Sequence, residues 1–149
     1  MKQKEHKIEE SMRSNLEPGC WSPKERKIFY LTGYTLHIYD VAQRANITIT
    51  TADTTKMKDP FPAMNNLSWS PDGKRIVLEY HTYKRQSVDA LINIDLFVMN
   101  SDGTGLRNIT NSKDLFESNP VWISNNEIIA NVEDIRSRKK WHEIFTVRN

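Results

Sequence analysis

The sequence has a single cysteine, Cys20, which rules out an internal disulfide and any paired-cysteine metal motif. It has five glycines, few for a chain that must turn tightly many times. No apolar run approaches the roughly 20 residues a membrane-spanning helix needs, and the mean hydropathy is -0.65. Charge of one sign is missing too. Lys and Arg number 21 against 19 Asp and Glu, and a net +2 does not imply a nucleic-acid partner. Residues 1–7 are hydrophilic with no apolar stretch behind them, so no secretory signal is expected and the default location is cytoplasmic. Catalytic signatures are absent: there is no G-x-S-x-G, Walker A, H-E-x-x-H or C-x-x-C. The four histidines, His6, His37, His81 and His142, are scattered. No catalytic residue, cofactor or metal is expected. The glycosylation-like triplets at Asn46, Asn66 and Asn108 are read as chance for want of a signal.

What is present is self-similarity. The middle copy reads LSWSPDGKRIVLEY over residues 67–80 and DLFVMNSDGTGLRNIT over residues 95–110. The first reads CWSPKERKIFYLT over 20–32 and LHIYDVAQRANIT over 36–48. The third reads VWISNNEIIANV over 121–132 and EIFTVRN over 143–149. Trp21, Trp69 and Trp122 mark the phase at separations of 48 and 53 residues, a little above the roughly 40–45 of a four-stranded blade.

The copies have a local physical reading. After Trp69 the Ser-Pro-Asp-Gly turn uses proline to fix φ and Gly73 to accept positive φ. Residues 74–80 then alternate as a strand, 95–100 form another, 101–105 turn, and 106–110 return as an outer strand. In the third copy Asn125 and Asn126 replace Asp72 and Gly73, and asparagine is the usual substitute at positive φ. Asp72 is read as a turn residue. The loop at Asp102 lacks the spaced carboxylates of a calcium site and is read as a hairpin turn.

W-S-P-D-G-K-R-I followed by D-L-F-V-M-N-S-D-G-T-G resembles the TolB-like, WD40-like (PD40-type) β-propeller repeat. The resemblance spans residues 20–149, is closest in the middle copy, and is specific for fold rather than function. It implies an all-β chain: a partial β-propeller of about three four-stranded antiparallel blades at 20–48, 67–110 and 121–149. The last blade is incomplete, and residues 1–19 form an N-terminal extension with a short helix over 8–16. The family is often periplasmic, against the location read from the N-terminus. A ring needs more blades than these. Three routes stay open: the chain is a portion of a larger propeller, a second copy completes the ring, or the N-terminal segment returns to the last blade.

The feature beyond the repeat is charge in the connections. The middle copy's loop over 81–94 carries Lys84 and Arg85, and the third copy's loop carries Arg136, Arg138, Lys139 and Lys140 with Trp141 at its end. Lys56 and Lys58 add to them, with Asp53, Asp59, Asp89, Glu133 and Asp134 as offsets. A basic rim is where such a scaffold would hold an acidic partner. The leading functional expectation is therefore a non-enzymatic module for protein–protein interaction. The alternatives are a fragment of the gating propeller of a prolyl-oligopeptidase-type serine peptidase, and nucleic-acid or acidic-ligand binding through the basic loops.

Overall fold

The computed structural model describes residues 21–32, 35–50, 61–84 and 90–148, and among these there is no helix. The expected helix over 8–16 lies outside the described residues, as does Cys20. Ten strands follow in order: β1 (Lys27–Thr32), β2 (Thr35–Asp40), β3 (Ala45–Thr50), β4 (Phe61–Trp69), β5 (Arg75–Lys84), β6 (Ala90–Asn100), β7 (Arg107–Asn108), β8 (Leu115–Trp122), β9 (Glu127–Asp134) and β10 (Lys140–Thr146).

The strands form three antiparallel meanders. β1-β2-β3 is a separate three-stranded sheet. β4-β5-β6 carries the short β7 on its β6 edge, and β8-β9-β10 is the third meander. The second and third join into one seven-stranded mixed sheet through a single parallel pairing, Ile94 with Phe116. Trp21 lies before β1 and bridges Ile28, a remnant of an inner strand.

The period-2 alternation of each strand dictates how the meanders pack. On β5, Ile76 and Leu78 face one way and join Phe29, Leu36, Ile38, Met64, Trp69 and Met99 in the core against the first meander. Val77 faces the other way, with Leu96 and Val98, into a second core with Trp122, Ile128, Ala130 and Val147 of the third. The middle meander is thus covered on both faces. A tryptophan meets the preceding layer at both joins: the Trp69 ring stacks on Phe29 at 5.6 Å, and Trp122 Nε1 donates to the Ser68 carbonyl at 3.2 Å beneath the Arg75 guanidinium.

The inner strands β4 and β8 are both bulged, between Asn65 and Ser68 and between Ser118 and Val121. At each bulge an asparagine takes positive φ, Asn66 at 43° and Asn119 at 51°.

The turns depart from expectation in places. Gly73 has φ 73°, as anticipated, Gly103 has φ 84° in the next turn, and Arg44 takes φ 54° in the first copy's glycine-free turn. Asn125 and Asn126 do not adopt positive φ. That turn is one residue shorter, and Ser124 Oγ closes it by accepting from Asn126 N–H at 3.2 Å and donating to Glu127 at 3.1 Å. The outer strand expected over 106–110 shrinks to β7, because Thr110 Oγ1 accepts from the Leu96 amide in place of a ladder carbonyl. The loop expected over 81–94 is largely strand: His81, Thr82 and Tyr83 extend β5 and pair with Ile94, Asn93 and Leu91 of β6, with a register shift that leaves Ile92 unpaired.

Gly73 is constrained twice, since a Cβ there would lie 2.6 Å from Ser22 Oγ of the preceding copy's turn. Gly73→Ala should destabilise the fold by about 1–2 kcal/mol in urea titrations, from the strained φ and the clash together.

Candidate functional site

Topology decides which connections share an end of the sheet. β5 is antiparallel to β6, β6 parallel to β8, and β8 antiparallel to β9, so β5 and β9 run the same way. Their following turns, β5–β6 and β9–β10, therefore project from one end, as the charge reading requires. Lys84 closes β5 at that end, and Arg85 lies outside the described residues, as do Lys56 and Lys58. The structure brings Arg136, Arg138, Lys139, Lys140 and Trp141 together on the β9–β10 hairpin, with Lys140 and Trp141 already inside β10.

The hairpin is built by one aspartate. Asp134 accepts from the backbone N–H groups of Arg136 at 2.9 Å and Ser137 at 2.8 Å, which holds its carboxyl below the ordinary range. Arg138 closes the turn at φ 60°. Three of the cations meet acids of the same chain: Arg136 with Asp114 at 2.9 Å, and Arg138 and Lys140 with Glu133 at 2.9 and 3.1 Å. The three cationic side chains remain 70–79% exposed, so these pairs orient them at little energetic gain. Trp141 Nε1 donates to Glu143 at 3.0 Å. Beside the hairpin, Ser118, Asn131, His142, Glu133 and Lys140 line a groove of about 470 Å³.

Two buried carboxylates lie between the second and third meanders. Neither stands out in the sequence. Glu79 is 1% exposed. It accepts from Asn66 Nδ2 at 2.7 Å, from the Asn119 backbone N–H at 2.6 Å and from His81 Nε2 at 2.6 Å. Burial alone would raise its pKa, but these donors more than offset it and hold the carboxyl below the usual range. His81 continues to the Tyr83 hydroxyl at 3.1 Å. The chain Glu79–His81–Tyr83 resembles a proton relay in outline, yet its acid is occupied in fastening both inner-strand bulges. Its signal in the sequence was an acid at a core position of the I-V-L-E-Y run, and asparagines 53 residues apart, in step with the tryptophans.

Glu117, also 1% exposed, is the opposite case. Burial pushes its pKa up to about 7; the Ser112 hydroxyl at 3.1 Å partly offsets this, and the charge of Asp95 adds to the rise. Asp95 is itself a hub. It accepts from Asn93, Asn108, Thr110 and the Ser112 backbone N–H, which anchors the β7–β8 connection. Asp72 has the role expected of it, accepting from Ser70 Oγ at 2.6 Å and from the Lys74 N–H at 3.0 Å within its turn. Among the described residues no group of three or more His, Cys, Asp or Glu is placed to hold a metal ion, and no helix is long and apolar enough to cross a membrane.

No protein-family model matches the chain, and no curated protein matches it in sequence.

Two measurements separate the buried acids. Glu79→Ala leaves the Asn119 N–H and the Asn66 amide without their acceptor and should cost about 2–4 kcal/mol in urea unfolding. Glu143→Ala, at an exposed site, should stay within about 0.5 kcal/mol. Glu117 binds its proton more tightly folded than unfolded, so the stability it contributes is full below its ordinary value of 4.5 and is lost as pH rises through about 7. The melting temperature should fall between about pH 4.5 and pH 7, and Glu117→Gln should flatten that slope. A slope unchanged in the variant would remove Glu117 as its source.

Proposed function

We propose that the chain is part of a TolB-like β-propeller and acts as a non-enzymatic module for protein–protein interaction, its partner held at the end bearing the β5–β6 and β9–β10 turns. The observation that carries this is the repeated stack. Trp69 packs on the layer before it as Trp122 packs on Ser68 and Arg75, and Ser22 meets Gly73 as Asn125 meets Asp72, whose N–H donates to Asn125 Oδ1 at 3.0 Å. Each meander reads as a blade and each join as blade-on-blade packing. In such a scaffold the buried residues serve the stack, and recognition is left to the connections.

The β9–β10 hairpin suits that role. Four cations and Trp141 share one hairpin, and tryptophan and arginine are the residues that most often anchor protein interfaces. Glu133 and Asp114 offset the positive potential within the hairpin. This favours a protein surface with discrete acids over the uniform charge of a nucleic acid.

The test is replacement of Arg136, Arg138, Lys139 and Lys140 by alanine. The melting temperature should hold within about 1–2 °C, since exposed ion pairs contribute about 0–1 kcal/mol, while capture of a partner in pull-downs should drop at least about tenfold. Capture equal to that of the parent chain would remove the hairpin from the reading. Capture that collapses steeply with salt for any polyanion would point to nucleic acid instead.

A further inference from the structure

The single parallel pairing between the second and third meanders, Ile94 with Phe116, has an acid next to each of its residues: Asp95 on β6 and Glu117 on β8. Two hydroxyls of the β7–β8 connection, Thr110 and Ser112, contact these acids. Ser112 Oγ lies 3.0 Å from the Leu115 carbonyl and 3.1 Å from Glu117 Oε2. Thr110 Oγ1 accepts from the Leu96 N–H, lies 3.2 Å from Asp95 Oδ1 and also bonds Glu117.

A hydroxyl has one proton to donate. Ser112 meets Leu115 and Glu117, and Thr110 meets Asp95 and Glu117, so four contacts share two hydroxyl protons. With Glu117 ionised, every one of these partners is an acceptor and two contacts lack a proton. A proton on the Glu117 carboxyl supplies a third. The acid then donates to Ser112 Oγ, and Ser112 is left to donate to the Leu115 carbonyl. Asp95 is not the place for that proton, because Asn93, Asn108, Thr110 and the Ser112 N–H already donate to it.

The other charged neighbours of Glu117 are occupied or exposed. On β9 the register sets Val132 opposite it, with Glu133 and Asp134 opposite the adjoining Phe116 and Leu115. Glu133 pairs with Arg138 and Lys140, and Asp134 is bonded into its own hairpin. On β10 Trp141 lies beside Val132 and donates to Glu143. On β5 Glu79 is taken by Asn66, Asn119 and His81. In the connection Lys113 and Asp114 are exposed, and Asp114 pairs with Arg136. Asp95 bears on Glu117 directly, and its charge opposes a second one there.

We propose that Glu117 is a proton latch on the join between the second and third meanders. With the proton in place, Ser112 holds the Leu115 carbonyl, Thr110 holds Asp95, and the β7–β8 connection is fastened to β6. When the proton leaves to solvent, Ser112 turns its one hydrogen to the anion, the Leu115 carbonyl is released and the connection loosens. The change reaches the β9–β10 hairpin, since the Asp114 carbonyl of the same connection accepts from the Ile135 N–H at 2.9 Å. The latch goes beyond the partner reading and stands without it.

Nuclear magnetic resonance of the full chain tests it. The Glu117 carboxyl carbon shift should titrate near pH 7, and the amide shifts of Ser112, Phe116 and Ile135 should move with the same midpoint. Amides of Leu36 and Ile38, in the separate first sheet, should not follow it. Corrected for the intrinsic rate, exchange protection of the Ser112 N–H should fall about tenfold or more from about pH 5 to about pH 7. Glu117→Gln, whose amide donates as the neutral acid does, should keep the low-pH shifts and protection throughout. In Ser112→Ala the carboxyl should still titrate while Ile135 no longer follows it. A Glu117 carboxyl already ionised at about pH 5.5 would overturn the proposal, and the parent chain decides that point without any variant. Connection shifts that still follow pH in Glu117→Gln would overturn it too, as would an Ile135 amide that still follows Glu117 in Ser112→Ala. Partner capture enters none of these readouts, so failure here and failure of the partner reading are told apart.

Discussion

Strand β5 is enclosed on both faces, and the rest of the structure is arranged to meet that condition. Ile76, Val77 and Leu78 are all fully buried, with alternate side chains pointing into different cores. A strand so placed must be apolar without alternation, as strands covered on both sides are. It also needs a layer on each side, and the first and third meanders supply them. The one charged residue on the strand at that depth, Glu79, takes three donors, two of them from the bulged inner strands on either side of the join. The bulges are therefore not incidental, since each turns an amide toward this carboxylate. Glu79 joins Trp122, which donates to Ser68, and Asn125, which accepts from the Asp72 N–H, in holding the second and third layers in register.

The two buried glutamates show how little the side chain alone decides. Glu79 and Glu117 have the same chemistry, the same depth and the same interface. Glu79 is surrounded by donors and is held as the anion. Glu117 is desolvated and faces Asp95, with the Ser112 and Thr110 hydroxyls for relief, and is held toward the neutral acid. One contributes stability at neutral pH and the other withdraws it. The layer interface thus carries one acid held ionised and one whose titration falls near neutrality.

Much of this was legible in the residues, and the exceptions have physical causes. The tryptophan spacing, the Ser-Pro-Asp-Gly turn and the aliphatic runs located the strands, because turn chemistry and period are local properties. Asp72 and Gly73 behave as their types demand. Strand ends were misjudged where Tyr83 and Leu91 prolong pairing past the polar residues that suggested a loop. The third copy's turn was misjudged because Ser124, not a left-handed asparagine, closes it. Glu117 was invisible as a buried group, and Glu79's partners were not readable, since Asn119 and Ser112 come from other strands and connections. The hairpin cations sit together on one turn, but their pairing with Asp114 and Glu133 depends on which connections lie side by side, and spacing does not report that.

The parallel link between the second and third meanders is one residue pair, Ile94 with Phe116. Almost all backbone hydrogen bonding is thus satisfied inside a meander, and the layers adhere through side chains. The unit of inheritance can therefore match the unit of structure. A duplication or deletion of about 50 codons adds or removes a whole layer without severing a hydrogen-bond ladder, at the cost of one apolar face exposed or re-covered. The departures among the three copies, a glycine lost here and a residue dropped there, are the drift expected once each layer has to fit only its two neighbours.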